Sequence, residues 1–202
     1  MPKVTEDYLD TRRKQIIDAA YRCFARKGFH QATMRDIYAE AELSPGAIYR
    51  YFTSKEEIIE ASFVFDLQRS LPMFDRADEN PNPMEAIDEL LNHFFAGLET
   101  AAALGADRVN VQGWGEALVN PRLEAPLRDT LTAFRERLAK LIRSAQAAGM
   151  IQPQIDPEAA GQVIMAAYLG FYLQKAFHPA LDGNQYKAVV FALIHGSFAK
   201  TS

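Results

Sequence analysis

The chain has 202 residues, of which 49% are hydrophobic and 24% charged, with a formal net charge of −4. These are ordinary globular values, and the length supports one or two compact domains. No apolar run reaches the roughly 20 residues of a membrane span; the longest, Ala159–Leu173, is interrupted by Gln162. A single cysteine, Cys23, excludes an internal disulfide framework. The opening MPKVTEDYLDTRRK is polar with mixed charge and does not read as a signal peptide. A soluble, cytoplasmic protein with no membrane partner is expected. The charge is uneven: bases outnumber acids in residues 1–55, and acids outnumber bases in 56–202. That asymmetry fits a small DNA-facing head on an acidic body.

Apolar residues recur with a helical period along nearly the whole chain, and no strand-and-hairpin series occurs. The first helix is predicted over 10–27, with Ile16, Ala20, Cys23 and Phe24 on one face and Gly28 as its stop. Thr33 reads as the N-cap of a short helix at 34–41, whose apolar face is Met34, Ile37 and Ala41. Ser44-Pro45 reads as the cap and first residue of another short helix at 45–51. A longer helix follows at 55–69, closed by Pro72. Further helices are predicted at 84–103, 107–118, 122–148, 157–177 and 184–199, separated by Gly- and Pro-containing turns. The expectation is an all-α chain of about nine helices, with an N-terminal three-helix domain at 1–54 and a helical bundle at 55–202.

Two short helices joined at Glu42–Ser44 after a longer one form a helix-turn-helix. Ile37, Ala41, Leu43, Ile48 and Phe52 can close a small core against Ile16, Ala20 and Phe24. Pro45, Gly46, Ala47 and Tyr49 are then left outside. Small residues there admit close approach to base edges, and Ala47 can touch a thymine methyl. Tyr49 and Tyr51 offer hydroxyls to phosphate oxygens. Thr33, Ser44 and Lys55 sit at or beside helix N-termini, where amides favour phosphate. Arg35 is long enough to reach a base or a phosphate.

The stretch Thr33–Lys55, TMRDIYAEAELSPGAIYRYFTSK, resembles the signature of the TetR (tetracycline-repressor) family, and RRKQIIDAAYRCFARKGFHQAT before it resembles that family's first helix. The resemblance implies an N-terminal DNA-binding domain and a C-terminal domain for dimerisation and small-molecule binding. It further implies repression relieved by an effector. Two positions depart from the pattern. Glu42 stands where Gly is usual, and a positive φ there would cost about 1 kcal/mol. Tyr38 replaces a small residue, which predicts a first short helix packed slightly apart.

The resemblance places the last two long helices in a two-fold interface, with Val163, Tyr186, Val189, Val190, Leu193 and Ile194 as candidate contacts; the same stripe also suits an ordinary intrachain core. A homodimer would set two recognition helices about 34–36 Å apart on near-palindromic double-stranded operator DNA. Candidate effector contacts are Phe65, His93, Phe94, Asn110, Trp114, Met165, Tyr168 and Tyr172. Aromatic groups with a few polar ones suit a ligand pocket and a helical core alike. Glu116 would favour a cationic aromatic ligand, and an apolar wall alone would favour a lipid-like one. No nucleophile elbow, Gly-rich phosphate loop or paired-cysteine motif occurs, and the four histidines lack metal-ligand spacing. The expectation is no enzyme, no cofactor and no metal. The alternative is a helical ligand-binding or interaction protein with weakened DNA binding, which Glu42 favours.

Overall fold

The structure, a computed structural model, describes residues 6–103 and 105–198, excepting the side chains of 6–7, 63–70, 98–101, 103 and 197–198. It is all-α, with no strand among the described residues. The elements are α1 (Glu6–Gln31), α2 (Met34–Ala41), α3 (Pro45–Ile48), α4 (Lys55–Glu79), α5 (Pro83–Ala103), α6 (Ala106–Ala117), α7 (Pro121–Ala147), α8 (Pro157–Phe177) and α9 (Gly183–Leu193). A π-helical turn, Ile194–Phe198, closes the described chain.

Helix starts use one chemistry repeatedly. Thr33, Ser44, Ser54, Asn120, Asp156 and Asp182 each accept a backbone N–H of the first turn through the side chain. Gly28, at φ 74°, interrupts α1 where the sequence places a stop, and one further turn carries the chain to Gln31. α3 is shorter than its predicted span of 45–51. α4 is longer than predicted, because it runs through Pro72 to Glu79. A proline inside a helix removes one hydrogen bond and costs about 3 kcal/mol. Tertiary contacts beyond it offset that cost. Phe74 is fully buried between the rings of Phe94 and Phe134. Arg137 and Lys140 of α7 pair with Asp75 and Asp78 of the same α4 segment.

Two hydrophobic clusters organise the chain. The first gathers α1, α2, Ile48, Phe52 and the start of α4, and is completed by Ala106, Val109 and Ala117 of α6 with Leu123 and Leu127 of α7. The second joins the far part of α4 to α5, α7, α8 and α9. The head's core is therefore finished by residues of the body. α6 approaches α1 closely at Gly105 (φ 79°), where an added Cβ would lie 2.3 Å from the Ala25 Cβ. Gln112 of α6 accepts the Phe29 N–H at 3.3 Å at the end of α1.

Gly105→Ala should therefore destabilise the fold by about 2–4 kcal/mol, through left-handed strain and overpacking together. A double-mutant cycle with Ala25→Gly, read from urea midpoints, should return a coupling of about 1 kcal/mol or more. An unchanged midpoint for Gly105→Ala would contradict the close approach.

Candidate DNA interface and ligand cleft

α2 is tied to α1 along its length. The Thr33 hydroxyl accepts the Asp36 N–H at 3.3 Å and donates to Asp36 Oδ2 at 2.8 Å, while Lys27 Nζ donates to Oδ1 at 2.7 Å. Arg22 and Arg26 grip Glu40 at 2.6 and 2.5 Å. Gln15 donates to the Ala41 carbonyl at 2.9 Å, closing the C-terminus of α2. Gln15 carried no periodicity or motif signal. The Thr33-x-x-Asp36 capping box is readable in the sequence.

The turn to α3 passes through Glu42 at φ 55°, the only positive φ outside glycine among the described residues. Its side chain is exposed beside the candidate DNA face. Ser44 caps α3 through Ala47 N–H at 3.3 Å, and fully buried Ile48 anchors it. Ser44, Pro45, Gly46, Tyr49 and Arg50 are exposed, and Ala47 is half-buried. A Cβ at Gly46 would meet nothing within 4 Å. Packing within the chain does not require glycine there. Thr33 and Arg35 are exposed on the adjoining turn of α2.

Three predicted positions have additional structural duties. Tyr51 is half-buried against the head's core. Lys55 Nζ donates to the carbonyls of Phe29 and Ala32, at 2.8 and 3.1 Å, so it stabilises the chain end after Gly28 as well as standing near the surface. Tyr49 packs edge-on to Tyr38, with ring centroids 5.9 Å apart. Desolvation and a hydrogen bond with Tyr49 push the Tyr38 phenol up to about 12. Tyr38 thus braces Tyr49 across the two short helices.

In the body, α6, α7 and α8 border an open cleft of about 510 Å³ with mainly apolar walls, among them Trp114, Leu127, Leu131, Met165 and Leu169. Trp114 and Met165 are the two candidate effector residues that line it. Tyr172 meets Trp114 edge-on at 6.3 Å, and Tyr168 meets Tyr172 at 5.3 Å. None of the other candidates with described side chains lines this cleft. Phe94 is buried in the aromatic cluster with Phe74 and Phe134, and His93 is exposed. Asn110 donates to its own helix at Ala106 O, 2.8 Å. The Phe65 side chain lies outside the described residues. Glu116 faces His30 at 3.8 Å, at the seam between α6 and the head.

The dimer candidates divide by face. Tyr186, Val190 and Ile194 turn inward: the Tyr186 hydroxyl donates to Ala167 O at 2.9 Å, and Val190 and Ile194 are buried. The stripe on α9 is therefore partly intrachain core. Val163, Val189 and Leu193 face outward, each more than half exposed.

Residues 16–62 match the family described as "Bacterial regulatory proteins, tetR family", and residues 83–199 match "BetI-type transcriptional repressor, C-terminal". The transcriptional regulator UidR of Escherichia coli K12 is 29% identical over 153 residues, covering 76% of each chain. YfiR of Bacillus subtilis, described as an uncharacterised regulator, is 31% identical over 152 residues, covering 75% of this chain and 74% of that one. The structure of Salmonella enterica GusR superposes with a TM-score of 0.72 at 25% identity, covering 97% of this chain and 98% of that one. This chain belongs to the TetR family of DNA-binding transcriptional regulators.

Two predictions follow from the head's geometry. Glu42→Gly should stabilise the protein by about 0.5–1 kcal/mol by removing left-handed strain, read from thermal or urea unfolding; a destabilised variant would show that the Glu42 side chain contributes a contact of its own. The second concerns acid. Asp36 is held well below the usual carboxylate range by Lys27 and then by Thr33, Glu40 by Arg26 and Arg22, and Glu57 by Thr53. Depressed folded-state pKa values give stability that is present above the ordinary carboxylate range and lost as pH falls through the folded values. Asp36→Asn should thus lower the urea midpoint at pH 7, and the gap should narrow below the ordinary Asp value of 3.8. A gap that widens in acid would overturn this account.

Proposed function

We propose that the chain is a homodimeric transcriptional repressor that binds near-palindromic operator DNA through α2 and α3 and releases it when a small hydrophobic or aromatic effector occupies the body. The observation that carries the DNA assignment is the face formed by Arg35, Ser44, Gly46, Ala47 and Tyr49. It is accessible and small-residued at the start of α3, and it is held rigidly from behind by Ile37 and Ile48. Supporting the effector assignment, Trp114, Leu127 and Leu131 of the cleft wall also pack with the head's core. A ligand that alters the cleft would thereby bias the placement of α1 and α3. Supporting the dimer, Val163, Val189 and Leu193 present exposed apolar surface on neighbouring helices. The division at 54/55 belongs to this proposal, as do a cytoplasmic location and the absence of catalysis. No helix among the described residues is long and apolar enough to cross a membrane.

Electrophoretic shift of the DNA upstream of the chain's own gene tests the reading. Affinity should fall with salt along a log–log slope equivalent to several phosphate contacts. Arg35→Ala should weaken binding by about tenfold at unchanged stability, and Tyr49→Ala by a similar factor with a loss of stability of about 1 kcal/mol or less from its contact with Tyr38. No salt-sensitive shift on promoter DNA would sink the repressor reading. A monomer in sedimentation at micromolar concentration would remove the dimer.

A further inference from the structure

The α6–α7–α8 cleft has a chemical polarity along its length. α7 contributes a stripe from Leu127 through Leu131 to Arg135, and α8 contributes Gln162, Met165 and Leu169. Gly161 brings α8 close to α7 at one end, where an added Cβ would lie 3.4 Å from the Arg135 carbonyl oxygen. Gln162 is its neighbour in sequence, so Arg135, Thr132 and Gln162 collect at that end. Leu127 and Leu169 lie about two turns away on their helices, toward Trp114 and Ala117.

The charges along the cleft are unbalanced. Arg128 also borders it, but Glu124 holds Arg128 at 2.7 Å and Asp129 lies beside it. Arg135 is half-buried, and no ion pair or hydrogen bond of its side chain occurs among the described residues. A planar guanidinium removed in part from water favours a carboxylate partner, with which it forms paired, charge-assisted hydrogen bonds. The remaining wall offers mainly hydrocarbon and one indole.

We propose that this cleft binds an organic anion with an apolar body, its carboxylate held by Arg135 beside Thr132 and Gln162 and its body laid along Leu131 and Met165 toward Trp114. The assignment rests on the reading of the cleft as the effector site and adds the chemical class of the effector. The volume of about 510 Å³ falls within the range of sites that enclose molecules of this size.

Trp114 is the chain's single tryptophan and lines the cleft, so its emission reports occupancy directly. The full-length protein is titrated with sodium dodecanoate below its micellar concentration, and in parallel with dodecyltrimethylammonium and 1-dodecanol. Dodecanoate should give a saturable change and bind at least roughly tenfold more tightly than the cation. Arg135→Gln should weaken dodecanoate by about tenfold while leaving dodecanol unchanged, and Arg135→Lys should restore part of the loss. The proposal is overturned by no saturable response to dodecanoate, by equal or tighter binding of the cation, or by an Arg135→Gln variant that binds dodecanoate normally. It is equally overturned if Trp114 emission follows protein concentration and ignores dodecanoate, since a second copy would then fill the cleft. DNA release is measured on the same samples. Dodecanoate that binds through Arg135 without releasing DNA upholds the ligand class and removes the effector role. Release by a different small molecule, with no dodecanoate binding, does the reverse.

Discussion

The contact between α1 and α6 is the constraint on which the other parts depend. A three-helix head of this size has little interior of its own, and small domains bury too small a fraction of their surface to be robust. Here the head's core continues into the body through Ala106, Val109 and Ala117. Gly105 permits the approach because it has no Cβ and tolerates φ 79°. Gln112 then accepts the Phe29 N–H just beyond the Gly28 interruption. Apolar burial gives this seam its strength, and the hydrogen bond and the glycine give it a register. They reinforce α4, which starts in the head's core at Ile58 and Ile59 and runs into the body's core at Phe74 and Ala77.

That register gives the proposed effector response a physical route. α6 touches α1 and supplies Trp114 and Ala117 to the cleft, with Leu118 just beyond its end. Leu127 belongs both to the cleft and to the head's core. Close-packed interiors answer displacement by shifting whole elements more readily than by compressing. In the proposed response, an occupant that moves Trp114 acts on a helix that packs against α1 and on residues shared with the head's core. Such a ligand changes DNA affinity only by the difference in its own affinity for the two placements of α6. Tight binding alone releases nothing, so the cleft's shape in the DNA-bound arrangement matters as much as its chemistry.

The sequence was most legible where structure is local. The caps at Thr33 and Ser44, the stop at Gly28 and the buried faces of α1 and α2 are set by residues within one or two turns, and the structure has them in place. The helix through Pro72 was illegible, because what sustains it is Phe74 between two rings from α5 and α7 and acid–base pairs reaching across to α7. The α9 stripe was half legible. Spacing of three and four marks apolar residues but does not say which of them the chain buries itself, and here Val190 is buried while Val189 is exposed. Lys55 likewise reads as a surface cation, yet it lies over the carbonyls of Phe29 and Ala32. The candidate effector residues scattered most, since aromatic side chains stabilise a core and line a cleft by the same burial.

The two departures from the family pattern act on the same face in opposite senses. Glu42 holds a left-handed turn that glycine would adopt without strain, and it brings a carboxylate to the candidate DNA face. Under the proposed function both features work against DNA binding, the first through strain in the turn and the second through like-charge repulsion. Tyr38 works the other way. Its ring packs edge-on against Tyr49 at the C-cap of α3, and the two hydroxyls are hydrogen-bonding partners. A tyrosine half exposed on a short helix would otherwise lose rotamer freedom on meeting DNA, and ordering it beforehand lowers that cost. The larger side chain thus links α2 to the C-cap of α3, in addition to the wider helix spacing expected from its size. Under the proposed function, the balance between a strained acidic turn and a pre-ordered aromatic pair bears directly on the affinity of this head for operator DNA.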